Sequence, residues 1–259
     1  MAGREDRTWR ALSAAAAALV LLVGGGQAWK VLAEQAHVDQ YRYERGIRTV
    51  ELDLQSSSVV VTGETGDAVS VDQRERWTLD RPRVTRSVTG STLHLTARCP
   101  RSWLPTGGPC GVQFSLVVPP GTNLTVKSGS GAVFAEGITG DISARTDSGS
   151  VGLKRDSGRI AVHVGSGSVT GQDLGADQVR AQVDSGSIDL AFARPPQDLT
   201  MATNSGSAQA GLPPGSTYRV LSSAGSGGVD VDPGLQDAAS ARTITATTGS
   251  GHVGLAYTS

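Results

Sequence analysis

The sequence predicts an all-β solenoid behind an apolar N-terminal segment. Three observations predict it. A Ser-Gly-Ser triplet recurs at intervals near twenty residues, and apolar residues alternate with polar ones on both sides of it. Aromatic residues are only 4% of the chain, while 34 of the 259 residues are glycine. Recurrence at such an interval marks stacked repeats. Alternation marks strands with one buried face. Few rings means a thin core of Val, Ile, Leu and Ala.

The N-terminal segment comes first in the chain. Residues 1–10 are polar, with Arg4, Arg7 and Arg10. Residues 11–29 are read as a transmembrane helix: 11–28, ALSAAAAALVLLVGGGQA, carry no charge, and Trp9 and Trp29 stand at the two ends. Indole rings favour the lipid–water boundary, and a 19-residue helix spans about 28 Å, close to the hydrocarbon thickness. Two readings remain open here. A retained signal anchor suits the paired tryptophans. A cleaved signal peptide suits Gly26-Gln27-Ala28, a small-x-small cleavage site. Either leaves the rest outside the cytoplasm: single-pass with its N-terminus inside, or secreted. Residues 30–46 are read as the end of the helix followed by a stalk.

Residues 47–259 form the predicted β domain, irregular over 47–120 and regular over 121–259. The first coil is VELDLQSSSVVVTG (50–63), with Val50, Leu52 and Leu54, a triple-serine corner, then Val59 and Val61. DAVSVDQRERW and STLHLTAR read as further strands, and LDRPRVTRSVTG between them as a projecting hairpin. Cys99 and Cys110 flank a Pro/Gly-rich loop, CPRSWLPTGGPC. An even cysteine count outside the cytoplasm reads as a disulfide. Two thiolates with no histidine nearby in sequence make a poor metal site. Trp103 is the one large apolar side chain this loop can present.

In the regular part the corner glycines are read as Gly129, Gly149, Gly167, Gly186 and Gly206, with looser copies at Gly225 and Gly249. Strand residues such as Ile160, Val162 and Val164 precede a corner; others such as Ile188 and Leu190 follow one. Stacked at about 4.8 Å, equivalent positions lie over one another and the inward side chains form columns. The triplet answers the need for a sharp turn between two strands sharing a core. Gly reaches backbone angles costly to other residues and carries no side chain to strike the next coil. The flanking serines favour turns and are placed to bond from coil to coil.

The apolar N-terminus, the VELDLQSSSVVVTG opening, the LVVPPGTNLTVKSGSGAV run and the repeated DSGS corners resemble the bacterial putative-adhesin family of β-strand-repeat domains, whose function is unassigned. The resemblance covers roughly residues 47–259. It implies a single-stranded right-handed β-helix on the outer side of a membrane, and it carries over no catalytic residue.

Motifs for chemistry are sparse. The four histidines, His37, His94, His163 and His252, are far apart in sequence, and His163 and His252 point outward by alternation. Gly249–Gly254 matches Gly-x-Gly-x-x-Gly but lacks the strand-loop-helix setting that a dinucleotide requires. Asp184 and Asn204 form at most a weak calcium pair, short of the six to eight oxygens a good site needs. No cofactor or metal is expected. A net charge of −1 leaves no basic field for nucleic acid. Arg74, Arg76, Arg81, Arg83 and Arg86 crowd together among acidic residues; Arg81, Arg83 and Arg86, with Trp103, are the candidate contact residues. The expected role is binding or scaffolding at the cell envelope rather than catalysis. Expected partners are membrane lipid through the N-terminal helix, an envelope protein or glycan, and a second copy at a solenoid end. The alternatives are a β-helix enzyme acting on polysaccharide and a sensor partner of a membrane stress system.

Overall fold

The computed structural model describes residues 35–44, 46–100 and 110–258. The membrane segment expected at 11–29 and the candidate Trp103 lie outside the described residues. Among those described, no helix is long and apolar enough to cross a membrane.

The fold is all-β. The regular part consists of long strands, each turning at one Ser-Gly corner: β7 (Asn123–Glu136), β8 (Ile142–Lys154), β9 (Ile160–Leu174), β10 (Gln178–Phe192), β11 (Asp198–Leu212), β12 (Arg219–Val231) and β13 (Thr243–Tyr257). β2 (Thr49–Gly63) opens this series and pairs in parallel with β7. Parallel pairing continues from β7 through β8, β9 and β10 to β11. The predicted vertical registry is present: Val162 lies beside Ala181, and Ala181 beside Met201.

Each corner changes the parity of burial. In β10, Val179, Ala181 and Val183 are buried before the corner, and Ile188, Leu190 and Phe192 after it. An unbroken strand would keep one parity, because successive side chains point to opposite faces. The switch lets both arms of one strand face a single core, and the inward residues of all layers do form one cluster.

The last two layers exchange places. β13 lies on β11, and β12 lies outside β13 at the end of the sheet. The sequence reading stacked these coils in chain order. Side-chain content explains the swap. The inward positions of the first arm are Ile244, Ala246 and Thr248 in β13 but Val220, Ser222 and Ala224 in β12. The second arm of β13 adds Val253 and Leu255, both fully buried. The more apolar strand takes the position covered on both sides, which is where burial returns the most free energy.

The other end is built differently. β5 (Thr92–Arg98) and β6 (Cys110–Val118) pair in parallel with the first and second arms of β2. Together they form one layer split at its corner. Beneath it the chain runs the opposite way: β4 (Arg83–Thr89) is antiparallel to β5, and β3 (Ala68–Trp77) is antiparallel to β6. The segment read as a projecting hairpin therefore lies flat against the stack. β1 (Gln35–Glu44) closes this end, antiparallel to β3. Residues 35–44, read as part of a stalk, are thus a strand; Tyr41 and Tyr43, two apart, both pack against the core.

Candidate functional site

The corners align into a ridge. Ser56, Ser130, Ser148, Ser166, Ser185, Ser205, Ser250 and Ser226 follow one another across eight paired layers. Next to them runs a column of glycines: Gly131, Gly149, Gly167, Gly186, Gly206, Gly251 and Gly227. All seven have positive φ, as at Gly186 (138°). A Cβ on Gly186 would lie 1.7 Å from the carbonyl oxygen of Gly167, so the layers approach too closely for any side chain.

This column corrects three of the seven corner assignments. Gly149, Gly167, Gly186 and Gly206 are in place. Gly129, Gly225 and Gly249 stand two residues early, and Gly131, Gly227 and Gly251 hold the position instead. Those three coils share Gly-Ser-Gly, preceded by Ser128, Ala224 or Thr248, and only the second glycine takes the positive φ. The next serine column includes Ser150, Ser168, Ser187 and Ser207. Coil-to-coil hydroxyl bonding occurs at the first step, where Ser130 lies 3.4 Å from Ser56.

At the split layer the corner is covalent. Cys99 and Cys110 are disulfide-bonded, with Cα atoms 6.0 Å apart. Arg98 anchors the near side by pairing with Asp53 at 2.6 Å, and the Cys99 amide donates to Gln55 Oε1 at 3.2 Å. The cystine thus takes the place that a serine-glycine corner holds in the layers above.

Beside this corner is a groove with a volume of about 540 Å³, lined by Ser56, Ser57, Ser58 and Ser130, by Cys110 to Gln113, and by Arg74 and Arg76 of β3. β3 lies against β6 with Arg74 beside Gln113 and Arg76 beside Gly111, which carries both guanidiniums to the serine corner. Neither is in an ion pair with a described residue.

The candidate arginines are placed otherwise. The inward side of β3 carries Gln73 and Glu75, only 1% and 3% exposed. Gln73 Nε2 donates to Glu75 at 2.5 Å, and Arg81 Nε donates to the other Glu75 oxygen at 2.6 Å. Arg86 donates to Gln73 Oε1 at 3.1 Å and lies over the Tyr41 ring. Arg81 also stacks on Trp77, and its pKa is raised first by the hydrogen bond to Glu75. Arg81 and Arg86 are therefore committed to a polar network that closes the β1 end of the core. Arg83 is exposed on β4. Net mixed charge along the sequence hid this division; the signal was the strict alternation of QRER, in which Gln73 and Glu75 continue the inward set of Val69 and Val71.

Histidine–carboxylate pairs, not evident in sequence, form across layers. His94 lies 3.1 Å from Glu51, His163 3.7 Å from Asp184 and His252 3.5 Å from Asp230. All are partly exposed and separate from one another. Asn204 donates weakly to Asp184 at 3.4 Å. Among the described residues, no group of three or more His, Cys, Asp or Glu is placed to hold a metal ion. Asp156, in the turn after β8, is fully buried and accepts from the Ile138 and Lys154 amides at 2.8 and 3.1 Å. Burial pushes its pKa up to about 6, against the lowering effect of those two amides.

No family model matches the chain, and no curated protein does. Solved structures similar to it include two described by name. One is a putative cell adhesion protein from Clostridium sporogenes, at TM-score 0.38 and 12% identity, covering 86% of this chain and 100% of that one. The other is a putative adhesin from Bacteroides fragilis, at TM-score 0.40 and 12% identity, covering 86% and 97%. At this level of likeness, function has to be read from the chain's own geometry.

Proposed function

We propose that this chain is a right-handed β-helix held at the cell envelope by its N-terminal segment, and that it works by contact with an acidic, hydroxyl-rich envelope polymer. The observation that carries the reading is the groove at the disulfide corner. Two guanidiniums outside any ion pair with a described residue, Arg74 and Arg76, face serine hydroxyls there. Guanidinium forks match carboxylate and phosphate oxygens, and hydroxyls both donate to and accept from sugar hydroxyls. Both groups sit on paired strands, so the backbone that carries them is ordered before a ligand arrives. The stack places β1, which follows the N-terminal segment in the chain, at one end. The groove belongs to that same end, near the surface to which an anchor would tether it.

The test is co-sedimentation of the detergent-solubilised full chain with isolated wall material free of membrane. Wild-type protein is expected to be retained at low salt and released as ionic strength rises, since exposed charge pairs are screened. The double variant Arg74→Ala/Arg76→Ala is expected to lose at least about tenfold in retention, or 1.4 kcal/mol. Equal retention of the variant would refute the groove as the contact site.

A further inference from the structure

The two ends of the stack are finished in opposite ways. At the β1 end the chain reverses, the edge strands β1 and β4 carry His37, Asp39, Arg42, Glu44, Arg83 and Arg86, and Glu75 closes the core with Arg81. Charged, reversed edges and inward-pointing charges are how sheets resist further pairing. At the other end, among the described residues, β12 has a neighbour on one side only. Its thirteen residues, RVLSSAGSGGVDV, hold one cation and one anion. Leu221 is 59% exposed and Val229 is 40% exposed. The inward residues Val220 and Val231 are only partly buried against the core.

We propose that this edge is a homophilic docking surface: β12 pairs antiparallel with β12 of a second copy, corner on corner, about a two-fold axis. The argument starts from symmetry. A two-fold axis through the corner lays the first arm of one β12 over the second arm of the other. For the two cores to join, inward residues must meet inward residues. In the first arm those are Val220, Ser222 and Ala224, at even positions; in the second they are Val229 and Val231, at odd positions. The parity switch at the corner therefore permits only registers in which opposed residue numbers sum to an odd number. Centring the axis on the corner, between Gly225 and Ser226, sets Val220 on Val231 and Ser222 on Val229. The same register sets Arg219 opposite Asp232, at both ends of the interface. The charges of β12 and its flank thus complement those of its own copy, and the central residues Ser222 to Gly228 are uncharged.

A second copy therefore continues the ladder, covers the open end of the core and pairs the terminal charges. Stacking β12 on the β1 end of another molecule does none of these, because there the charged strands Arg83–Thr89 and Gln35–Glu44 meet it. Two copies joined through β12 carry their β1 ends at the two extremes of a doubled stack. This deepens the contact role above by naming one partner, and it does not depend on the groove.

Register-specific cross-linking of the full chain tests it. Residue 221 of one copy opposes residue 230 of the other, whereas residue 221 of the two copies is far apart. Leu221→Cys and Asp230→Cys proteins with different tags are mixed and mildly oxidised. A disulfide-linked heterodimer at least about tenfold more abundant than either self-linked species is expected. In sedimentation, Leu221→Glu, which faces Asp230, is expected to weaken the dimer at least about tenfold relative to Leu221→Lys. Circular dichroism confirms that each variant is folded. A monomer at all concentrations, self-linking of Leu221→Cys, an open-ended series of larger species, or equal behaviour of Glu and Lys would each overturn the proposal. Absence of a dimer in the wild-type chain, with wall retention intact, would overturn this proposal alone and leave the groove standing.

Discussion

At Gly186 a Cβ has no place to go. It would meet the Gly167 carbonyl at 1.7 Å, and φ at 138° is already a conformation L-residues avoid. Gly186→Ala should therefore destabilise by at least about 3 kcal/mol, through both strain and separation of the layers. Gly254, on the outer side of β13, has ordinary φ and its nearest neighbour at 3.5 Å. Gly254→Ala should lie within about 0.5 kcal/mol of wild type. Denaturant unfolding of the two variants measures the contrast. Asp156 makes a different prediction. Its folded pKa of about 6 lies above the ordinary value of 3.8. In the folded protein it holds its proton between those values, where the unfolded chain has lost it. Its contribution to stability is thus full below about pH 4 and is lost as pH rises through 6, with a span of roughly 3 kcal/mol at 1.4 kcal/mol per pH unit. Asp156→Asn should remove that component, so the stability difference between the two proteins should vary across pH 4–7 and level off on either side. A constant difference would refute the assignment.

Among the elements, the split layer of β5 and β6 differs most from its neighbours. The layers of β2 and of β7 to β13 turn their corner within one strand, whereas here the chain leaves at Arg98 and returns at Cys110. The excursion would free both arms to part, and the disulfide ties them at the corner. Replacing Cys99 and Cys110 with serine should cost about 3 kcal/mol, the chain-entropy value for a loop of about a dozen residues. The loss should also loosen the groove wall at Cys110–Gln113, so wall retention should fall with stability. The same elements show how far sequence could reach. The parallel strands were legible because a repeat period and an alternation period coincide there. β4, read as projecting, and β1, read as stalk, were not, because each is a single strand without a repeat to compare. Their partners, β5 and β3, lie in different sequence contexts.

Over the whole molecule, the contrast between a charged, reversed end and a neutral, open end was hidden from sequence. The composition of β12 looked like a weak repeat in mid-chain, flanked by two better ones. Only the exchange of β12 with β13 places it outermost, and that placement leaves the inward Val229 40% exposed. The groove was likewise half visible. Arg74 and Arg76 stood in the arginine-rich run, but the antiparallel register of β3 on β6 selects them for the serine corner while turning Arg81 and Arg86 to the core network.

Sequence by itself determined the all-β class, the columns of Val, Ile and Leu, the glycine-serine ridge and the cysteine pair. Each of these follows from local periodicity or from the size of a side chain, which a linear chain displays in full. Tertiary structure alone decided the order of the layers, the direction of β3 and β4, and which arginines join the core network and which face the groove. Those depend on which apolar faces compete best for burial and on the distance between residues remote in the chain, and neither is a property of any one segment.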